Sequence, residues 1–171
     1  APDNADVLNL LGLIAQTRGL HNEAVSYFYR AAATAPKHFP IFFNLGISLS
    51  AVGRPIEAIE AYKKVLQLKP DLKEAFLGLG NTYWQLNRTE EAALAFQNAL
   101  KLDATYSDAA VNLAEIQNDE ATLQKLARQN PQDARSFYYL GRRKFAEKKY
   151  MEALPYLQQA DKLQQSDEIK I

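Results

Sequence analysis

The chain is 171 residues long, which is enough for one ordinary domain or a short array of repeats. Its 20 basic and 20 acidic side chains balance, so the net charge gives no indication of a nucleic-acid or membrane-surface binder. Cysteine is absent, which excludes a disulfide framework, a thiolate zinc site and a cysteine nucleophile. No apolar run approaches the roughly 20 residues that a membrane-spanning helix needs, so we predict no membrane insertion.

A period of 34 residues runs through the first part of the chain. Two sets of residues repeat at this spacing: Pro2, Pro36 and Pro70, and Gly12, Gly46 and Gly80. Twelve residues after each glycine comes an alanine, and four residues further comes an aromatic ring: Ala24, Ala58 and Ala92, then Phe28, Tyr62 and Phe96. Around Gly141 the same spacings return as Ala153 and Leu157. Leu140 repeats the leucine that precedes each glycine, and Ala160 repeats the small apolar residue three positions after each ring. A fixed internal period of this size is typical of a repeat architecture.

Each period contains the pattern of two amphipathic helices. In the first period, DVLNLLGLIAQTRG and HNEAVSYFYRAAATAP both place apolar residues three and four apart, which is helical spacing. Gly19 and Gly53 are expected to end first helices in the left-handed conformation. Pro55 is expected at the start of a second helix, and Thr89 is expected to cap another. The small residue in the Gly12 column predicts a close approach of the two helices, with the rings filling the space between neighbouring pairs.

These columns resemble the tetratricopeptide repeat (TPR), whose signature is W-x2-L-G-x2-Y followed by A-x3-F, A and P. The best match is EAFLGLGNTYWQLNRTEEAALAFQNALKLD at 74–103, which fills these signature positions: Leu79, Gly80, Tyr83, Ala92, Phe96 and Ala99. Phe76 stands in place of the tryptophan and Ala104 in place of the proline. The resemblance implies an all-α fold, a right-handed superhelical solenoid of antiparallel helix pairs.

We divide the chain into about five repeats within a single array spanning 1–171. The predicted bounds are 5–38, 39–72, 73–106, 107–133 and 134–167. The fourth repeat has 27 residues, seven fewer than 34, and we interpret it as degenerate; a plain helical hairpin acting as a spacer is the alternative. Residues 1–4 are expected to end a preceding repeat and 168–171 to start a following helix, so we expect the chain to be a piece of a longer protein.

The sequence contains little equipment for catalysis. Its two histidines, His21 and His38, fall in predicted turns. No metal-binding spacing, phosphate-binding glycine loop or nucleophile elbow is present. The adjacent acids Glu90 and Glu91 are explained by their position at a helix start, where the helix dipole favours negative charge. We therefore predict that the chain is not an enzyme and that it has no cofactor and no metal site.

The resemblance assigns partner binding to the first helix of each pair, which lines the concave surface in this family. Transferred column by column, the predicted groove consists of Asn9, Leu13, Phe43, Asn44, Ile47, Leu77, Asn81, Trp84, Asn112, Arg135, Tyr138 and Arg142. Amides can bond the backbone of an extended peptide, and rings can cover its apolar side chains. The predicted function is a protein-interaction scaffold that holds a partner protein or an extended peptide in this groove.

Two binding modes of the family match these residues only in part. Asn81, Asn112 and Arg135 occupy three of the five columns of the clamp that binds the carboxylates of chaperone tails, but a leucine and a tyrosine occupy the other two. Asn44 and Asn112 match the asparagine ladder of O-linked N-acetylglucosamine transferase arrays, and the remaining columns interrupt it. The resemblance therefore does not select one of these modes.

Charge is distributed unevenly towards the end of the chain. Residues 135–149 carry six basic side chains and one acidic, whereas 108–120 carry four acidic side chains and no basic one. Such patches can steer an acidic ligand towards a protein. The interpretation that we favour is that adjacent helices of opposite sign neutralise one another.

Two other functions stay open on the sequence. The array can serve as the substrate-recruiting arm of a larger transferase-type enzyme, or it can assemble with copies of itself through its ends. RNA binding is disfavoured, because the related pentatricopeptide repeats need a basic groove. The sequence does not identify the partner and does not determine the compartment, although it favours the cytoplasm.

Overall fold

A computed structural model describes residues 4–168, with side chains described as far as Gln165. This part of the chain is all α-helical and contains no strand, as predicted. None of its helices combines the length and the apolar character needed to span a membrane. The helices are α1 (Ala5–Thr17), α2 (His21–Thr34), α3 (Phe39–Ala51), α4 (Pro55–Leu68), α5 (Lys73–Gln85), α6 (Thr89–Leu102), α7 (Ser107–Ile116), α8 (Glu120–Gln129), α9 (Ala134–Ala146) and α10 (Tyr150–Glu168).

The helices pack as consecutive pairs within two compact units. Unit 1 extends to Ala104 and contains α1 to α6, and unit 2 begins at Thr105 and contains α7 to α10. In unit 1 the two helices of each pair pack together, α2 also packs on α3, and α4 packs on α5. In unit 2 each helix packs on the next one along the chain. Each predicted repeat thus contains one helix pair, and the boundary between the units falls close to the start of the shortened repeat.

The turns inside the five pairs share one backbone conformation. A residue in the left-handed region follows each first helix, with φ between 55° and 73°: Gly19, Gly53, Asn87, Asn118 and Lys148. In every one of these turns the next amide donates to a carbonyl five positions back, as Arg54 does to Leu49 at 2.9 Å. This bond satisfies a carbonyl that the helix end leaves open. The sequence predicted the conformation at the two glycines, whereas the side chains in the other three turns gave no equally strong signal.

The glycine column determines how closely the two helices of a pair approach. A Cβ atom added to Gly12 would lie 2.5 Å from the ring of Phe28, which is shorter than real Cβ contacts. In unit 2, a Cβ added to Gly141 would lie 2.7 Å from Leu157. Only glycine therefore lets the large side chain lie directly against the backbone of the first helix, and the predicted close approach is confirmed.

Tyr62 lies between two glycines that belong to successive pairs. A Cβ on Gly46 of α3 would lie 2.8 Å from the Tyr62 ring, and one on Gly78 of α5 would lie 2.6 Å from it. The ring is buried, so it joins the second pair of helices to the third, as predicted for this column. The contact with Gly78 was not predicted, because α1 and α3 carry Leu10 and Asn44 at the corresponding position and no repeated glycine marked it.

The shortened repeat loses length from both of its helices. α7 and α8 have ten residues each, whereas the first and second helices of unit 1 have 13 and 14. Losses of three and four residues account for the seven that the repeat lacks. The pair still contributes to an apolar core, in which Val111 and Leu123 are buried together with Leu140 of α9, and Leu126 packs against them.

The start of α6 differs in one respect from the prediction. Thr89 is the first residue of α6, but it does not cap the helix: the capping position is Arg88, and no side chain forms a cap hydrogen bond there. The Arg88 guanidinium instead binds the Glu91 carboxylate one turn into the helix. Glu91 lies in the first turn of α6, at the positively polarised helix start, where an acid is stabilising.

The two ends that were predicted to belong to neighbouring repeats lie largely outside the described residues. Of residues 1–4 the structure describes only Asn4, whose side chain caps α1 by accepting from the amides of Asp6 and Val7. Of residues 168–171 it describes only Glu168, which is the last residue of the continuous helix α10.

The contact of Gly78 with Tyr62 predicts that Gly78→Ala changes the free energy of unfolding in opposite directions with and without the Tyr62 ring, which a double-mutant cycle can test. Gly78→Ala adds helix propensity of about 1 kcal/mol, but the new methyl group overlaps the ring, which costs about 1–3 kcal/mol. We expect the substitution to destabilise the wild-type protein. In a Tyr62→Leu background the ring is gone, so the same substitution is expected to stabilise. Urea denaturation of the four proteins measures both effects, and an equal effect of Gly78→Ala in both backgrounds would contradict the assignment.

Lys148 is the one residue in the five left-handed turns that is neither glycine nor asparagine. A side chain with a Cβ atom is strained in this region by about 1 kcal/mol. Lys148→Gly is therefore expected to raise the free energy of unfolding by about that amount. Lys148→Ala is the matched control, because it removes the same charge and keeps the Cβ atom. Equal stabilisation by the two variants in urea denaturation would show that charge, not backbone strain, is responsible.

Candidate partner-binding surface

The groove residues predicted in unit 1 lie on three first helices that contact one another in sequence, α1 with α3 and α3 with α5. None of their side chains is buried and none carries a charge. We call the following eight residues the first-helix surface: Asn9, Leu13, Phe43, Asn44, Ile47, Leu77, Asn81 and Trp84.

Two amides on this surface are already paired. Asn44 Nδ2 on α3 donates to Asn9 Oδ1 on α1 at 3.2 Å. The bond uses one of the two hydrogens of the Asn44 amide and the oxygen of Asn9, so Asn44 Oδ1 and the Asn9 NH2 group retain hydrogen-bonding capacity. The asparagine ladder would repeat the column of Asn44 on each first helix. In the structure the partner of Asn44 is Asn9, which stands one position before that column in α1.

Tyr62 supports the first-helix surface from the interior of unit 1. The Phe43 ring meets the Tyr62 ring edge to face, with centroids 6.1 Å apart and planes at 67°. Burial raises the pKa of Tyr62 to about 12, and a hydrogen bond with Ser50 opposes part of that rise. Ser50 in turn lies 3.4 Å from the hydroxyl of Thr82 on α5. Tyr62 was predicted as a packing residue, and its role beneath Phe43 is visible only in the structure.

The α5 portion of the surface is a stripe of half-buried side chains. Leu77, Asn81 and Trp84 lie at spacings of four and three residues, which places them on one face of the helix. Thr82 lies on another, buried side of α5 and donates its hydroxyl to the carbonyl of Gly78 at 2.7 Å. An apolar side chain, an amide and an indole therefore follow one another along α5.

In unit 2, Arg135 is held by carboxylates. Its guanidinium binds Asp108 of α7 at 2.5 Å and Asp133 of the preceding turn at 3.0 Å. Burial opposes the charge, but the hydrogen bonds to Asp133 and Asp108 outweigh it and raise the pKa of Arg135 above its ordinary value. The predicted groove residue is thus already neutralised by the chain itself.

Arg142 lies two helical turns further along the same face of α9 and has a similar environment. It forms an ion pair with Glu115 of α7, and its guanidinium lies over the rings of Tyr138 and Tyr139 at 5.9 and 5.4 Å from their centroids. Burial, followed by the negative charge of Glu115, raises the pKa of Tyr139. Arg142 and Tyr138 are exposed, as a binding residue should be, although the positive charge has an internal partner.

A spacing in the sequence could have revealed these ion pairs. Asp108 precedes Arg135 by 27 residues, and Glu115 precedes Arg142 by 27 residues. This is the length of the shortened repeat, so each acid occupies the same column as its base on the neighbouring first helix. Lys144 also binds an acid of this repeat, Glu120, at 2.7 Å. The favoured interpretation of the charge patches, that adjacent helices neutralise one another, is therefore confirmed for these pairs.

Asn112 differs from the other predicted groove residues because it is buried. Only 6% of it is exposed, and it lies on the face of α7 that also carries the buried Ala109. Its amide is therefore not part of the accessible surface of unit 2.

The described residues contain no group of three or more His, Cys, Asp or Glu that could hold a metal ion. His21 is the first residue of α2, and His38 is the capping residue of α3, so both histidines lie at helix starts. The predicted turn positions of the two histidines are close to those observed.

Two family models match the sequence, and both are described as tetratricopeptide repeat. One matches residues 43–110 and the other matches residues 5–38. Together they match 34 and 68 residues, which is more than half of the chain. No curated protein sequence matches the chain.

Several solved structures have the same fold at low sequence identity. The crystal structure of MamA has a TM-score of 0.73 at 22% identity, over 91% of this chain and 95% of that one. YrrB, described as a TPR protein with an unusual peptide-binding site, has a TM-score of 0.69 at 17% identity, over 94% and 87%. The first TPR of Spaghetti (RPAP3), bound to the HSP90 peptide SRMEEVD, has a TM-score of 0.66 at 19% identity, over 71% and 96%.

The raised pKa of Tyr62 predicts a loss of stability at alkaline pH. The folded protein holds the phenolic proton up to a pH of about 12, whereas the unfolded chain releases it near 10. Tyr62 therefore contributes its full stabilisation below pH 10 and loses it as the pH rises from 10 to 12, a change of about 2–3 kcal/mol. Tyr62→Phe lacks this titration and shares all the others. Urea denaturation at pH 9, 10, 11 and 12 compares the two proteins, and parallel curves would contradict the prediction.

Proposed function

Because the chain belongs to the tetratricopeptide repeat family, we propose that it is a protein-interaction scaffold whose first-helix surface binds an extended peptide segment of a partner protein. Its fold relatives include proteins described as peptide-binding or bound to a peptide. The proposal gives this chain a binding role and assigns it no chemical step.

The observation that carries the proposal is the composition of the first-helix surface. Three adjacent helices present an amide pair, Asn9 and Asn44, beside apolar side chains such as Ile47 and Trp84. A peptide backbone needs hydrogen-bonding partners, and its side chains need apolar cover, so a surface that combines amides with large apolar groups suits an extended peptide. Trp84 and Phe43 supply the rigid aromatic area that binding surfaces favour.

The spacing of the helices suggests which peptide residues contact successive first helices. Adjacent packed helices lie about 8–10 Å apart, and an extended peptide advances about 3.3 Å per residue. Every third peptide residue would therefore meet the next first helix in the same way. A segment of about six to eight residues would then reach from α1 to α5.

Charge separates this mode from carboxylate recognition. None of the eight residues of the first-helix surface is basic. The arginines of unit 2 that were predicted for the groove, Arg135 and Arg142, already bind Asp108, Asp133 and Glu115. We therefore propose recognition through the peptide backbone and apolar side chains, without a clamp for a terminal carboxylate.

A displayed library of random heptapeptides tests the proposed function. Peptides enriched on the protein are synthesised with a fluorescent label, and their affinity is measured by fluorescence anisotropy. Asn9→Ala/Asn44→Ala and Trp84→Ala are each expected to weaken binding roughly tenfold, about 1–2 kcal/mol. Because the surface is uncharged, the affinity is expected to change little between low and high salt.

Gln97→Ala is the matched control, because Gln97 is exposed on the second helix α6 and lies outside the first-helix surface. It is expected to bind like the wild type. Helicity of all variants is checked by circular dichroism before binding is measured. Equal binding by the wild type and both surface variants would contradict the assignment of this surface. A steep loss of affinity with increasing salt would favour charge-based recognition instead.

A further inference from the structure

Two bases of α9 are neutralised by acids that stand in the same columns of the preceding first helix, α7. Asp108 and Arg135 share one column. Glu115 and Arg142 share another, seven residues further along both helices. In this second pair the side chain of Glu115 is 12% exposed and that of Arg142 is 51% exposed. The guanidinium is therefore accessible from solvent, whereas the acid that neutralises it is largely covered.

The column of Glu115 and Arg142 is one that contributes to the first-helix surface in unit 1. There it holds Leu13, Ile47 and Asn81, none of which is charged. In unit 2 the same column holds an acid followed by a base. A peptide segment that lies along the first helices of unit 2 would therefore meet a base whose charge is already matched.

An open cavity of about 380 Å³ adjoins the pair of Glu115 and Arg142, where α7 and α9 end. The charged residues in its lining are Glu115, Arg142, Arg143 and Glu147. The Arg143 guanidinium donates to the backbone carbonyl and the side-chain oxygen of Asn118, at 2.9 and 2.6 Å. Two positive and two negative charges therefore balance around the cavity, and loss of the Glu115 charge would leave it positive.

We propose that Asp108 and Glu115 are specificity-determining residues of unit 2, which exclude acidic peptide segments from its first helices. Each acid binds a guanidinium that a carboxylate of such a segment would otherwise reach. An incoming carboxylate also meets the negative charge of the acid at close range, and repulsion of this kind is a common source of specificity. The inference rests on the proposed function in one respect, which is that the first helices face the partner.

A purely stabilising role of the two acids predicts a different result when their charges are removed. Exposed ion pairs contribute little stability because water screens them. Asparagine and glutamine also keep a side-chain oxygen that can accept a hydrogen bond from a guanidinium. We therefore expect Asp108→Asn/Glu115→Gln to keep its helicity and its midpoint in urea while it gains affinity for acidic peptides. A stabilising role alone would give no such gain.

Fluorescence anisotropy with two labelled heptapeptides tests the proposal. Glutamate and alanine alternate in one peptide, and glutamine and alanine alternate in the other. The wild type is expected to bind the glutamate peptide no more tightly than the glutamine peptide. Asp108→Asn/Glu115→Gln is expected to bind the glutamate peptide roughly tenfold more tightly than the wild type does, and added salt should weaken this binding.

Arg142 is expected to account for most of this gain, because Arg135 retains its bond to Asp133, whose side chain is 7% exposed. Adding Arg142→Ala to the double variant should therefore bring the affinity for the glutamate peptide back towards that of the wild type. A gain that persists without Arg142 would show that the peptide does not bind at this base, and would overturn the proposal.

Glu120→Gln/Glu152→Gln is the matched control, because it removes the same number of negative charges from unit 2. These acids lie 2.7 and 4.0 Å from Lys144, whose side chain is only 12% exposed and offers little charge to a peptide. The control is expected to bind the glutamate peptide like the wild type. An equal gain by the control would assign the effect to net charge and would overturn the proposal.

Two further results would overturn the proposal: tight binding of the glutamate peptide by the wild type, or no gain by a folded double variant. The single variant Glu115→Gln is expected to show part of the gain, and it replaces the double variant if circular dichroism shows a loss of helicity. Both peptides have defined sequences and every substitution lies in unit 2. Failure of the first-helix surface in the library experiment would therefore leave these outcomes unchanged.

Discussion

The contact on which the helix pairs depend is that between a large side chain and the bare backbone of a glycine. Phe28 against Gly12, Tyr62 against Gly46 and Phe96 against Gly80 are so close that a single methyl group would overlap the ring. Van der Waals contact of this kind is individually weak and collectively large, and it requires a fixed helix spacing. That spacing in turn aligns the first helices of unit 1, which is the condition for a continuous surface across α1, α3 and α5.

The two units use their first helices in different ways. In unit 1 the exposed positions are amides and apolar groups, and the amide pair Asn9–Asn44 bridges two helices without charge. In unit 2 the first helix α9 carries Arg135 and Arg142, and the acids Asp108 and Glu115 neutralise them from α7. Exposed ion pairs contribute little stability because water screens them. Their consequence is that the basic residues of α9, which suggest an acidic ligand when read alone, are accounted for within the unit.

The same column of two repeats can be exposed in one and buried in the other, as Val7 and Ile41 show. Val7 and Ile41 are similar β-branched side chains in equivalent positions, yet one is half exposed and the other is fully covered. The difference comes from the neighbour and not from the residue, because α3 has a preceding second helix packed on it.

The sequence by itself determined the helix content, the pairing of helices, the left-handed turns at Gly19 and Gly53 and the close contacts of the glycine column. Each of these depends on local spacing or on the steric demands of one residue type, and a period of 34 repeats the evidence. Only the tertiary structure decided the burial of Asn112, the pairing of Asn44 with Asn9 and the place of Gly78 against Tyr62. These depend on which side chains of successive helices come within a few ångströms of one another. A column position assigns a residue to a face, but the neighbouring helix determines whether that face is open or closed.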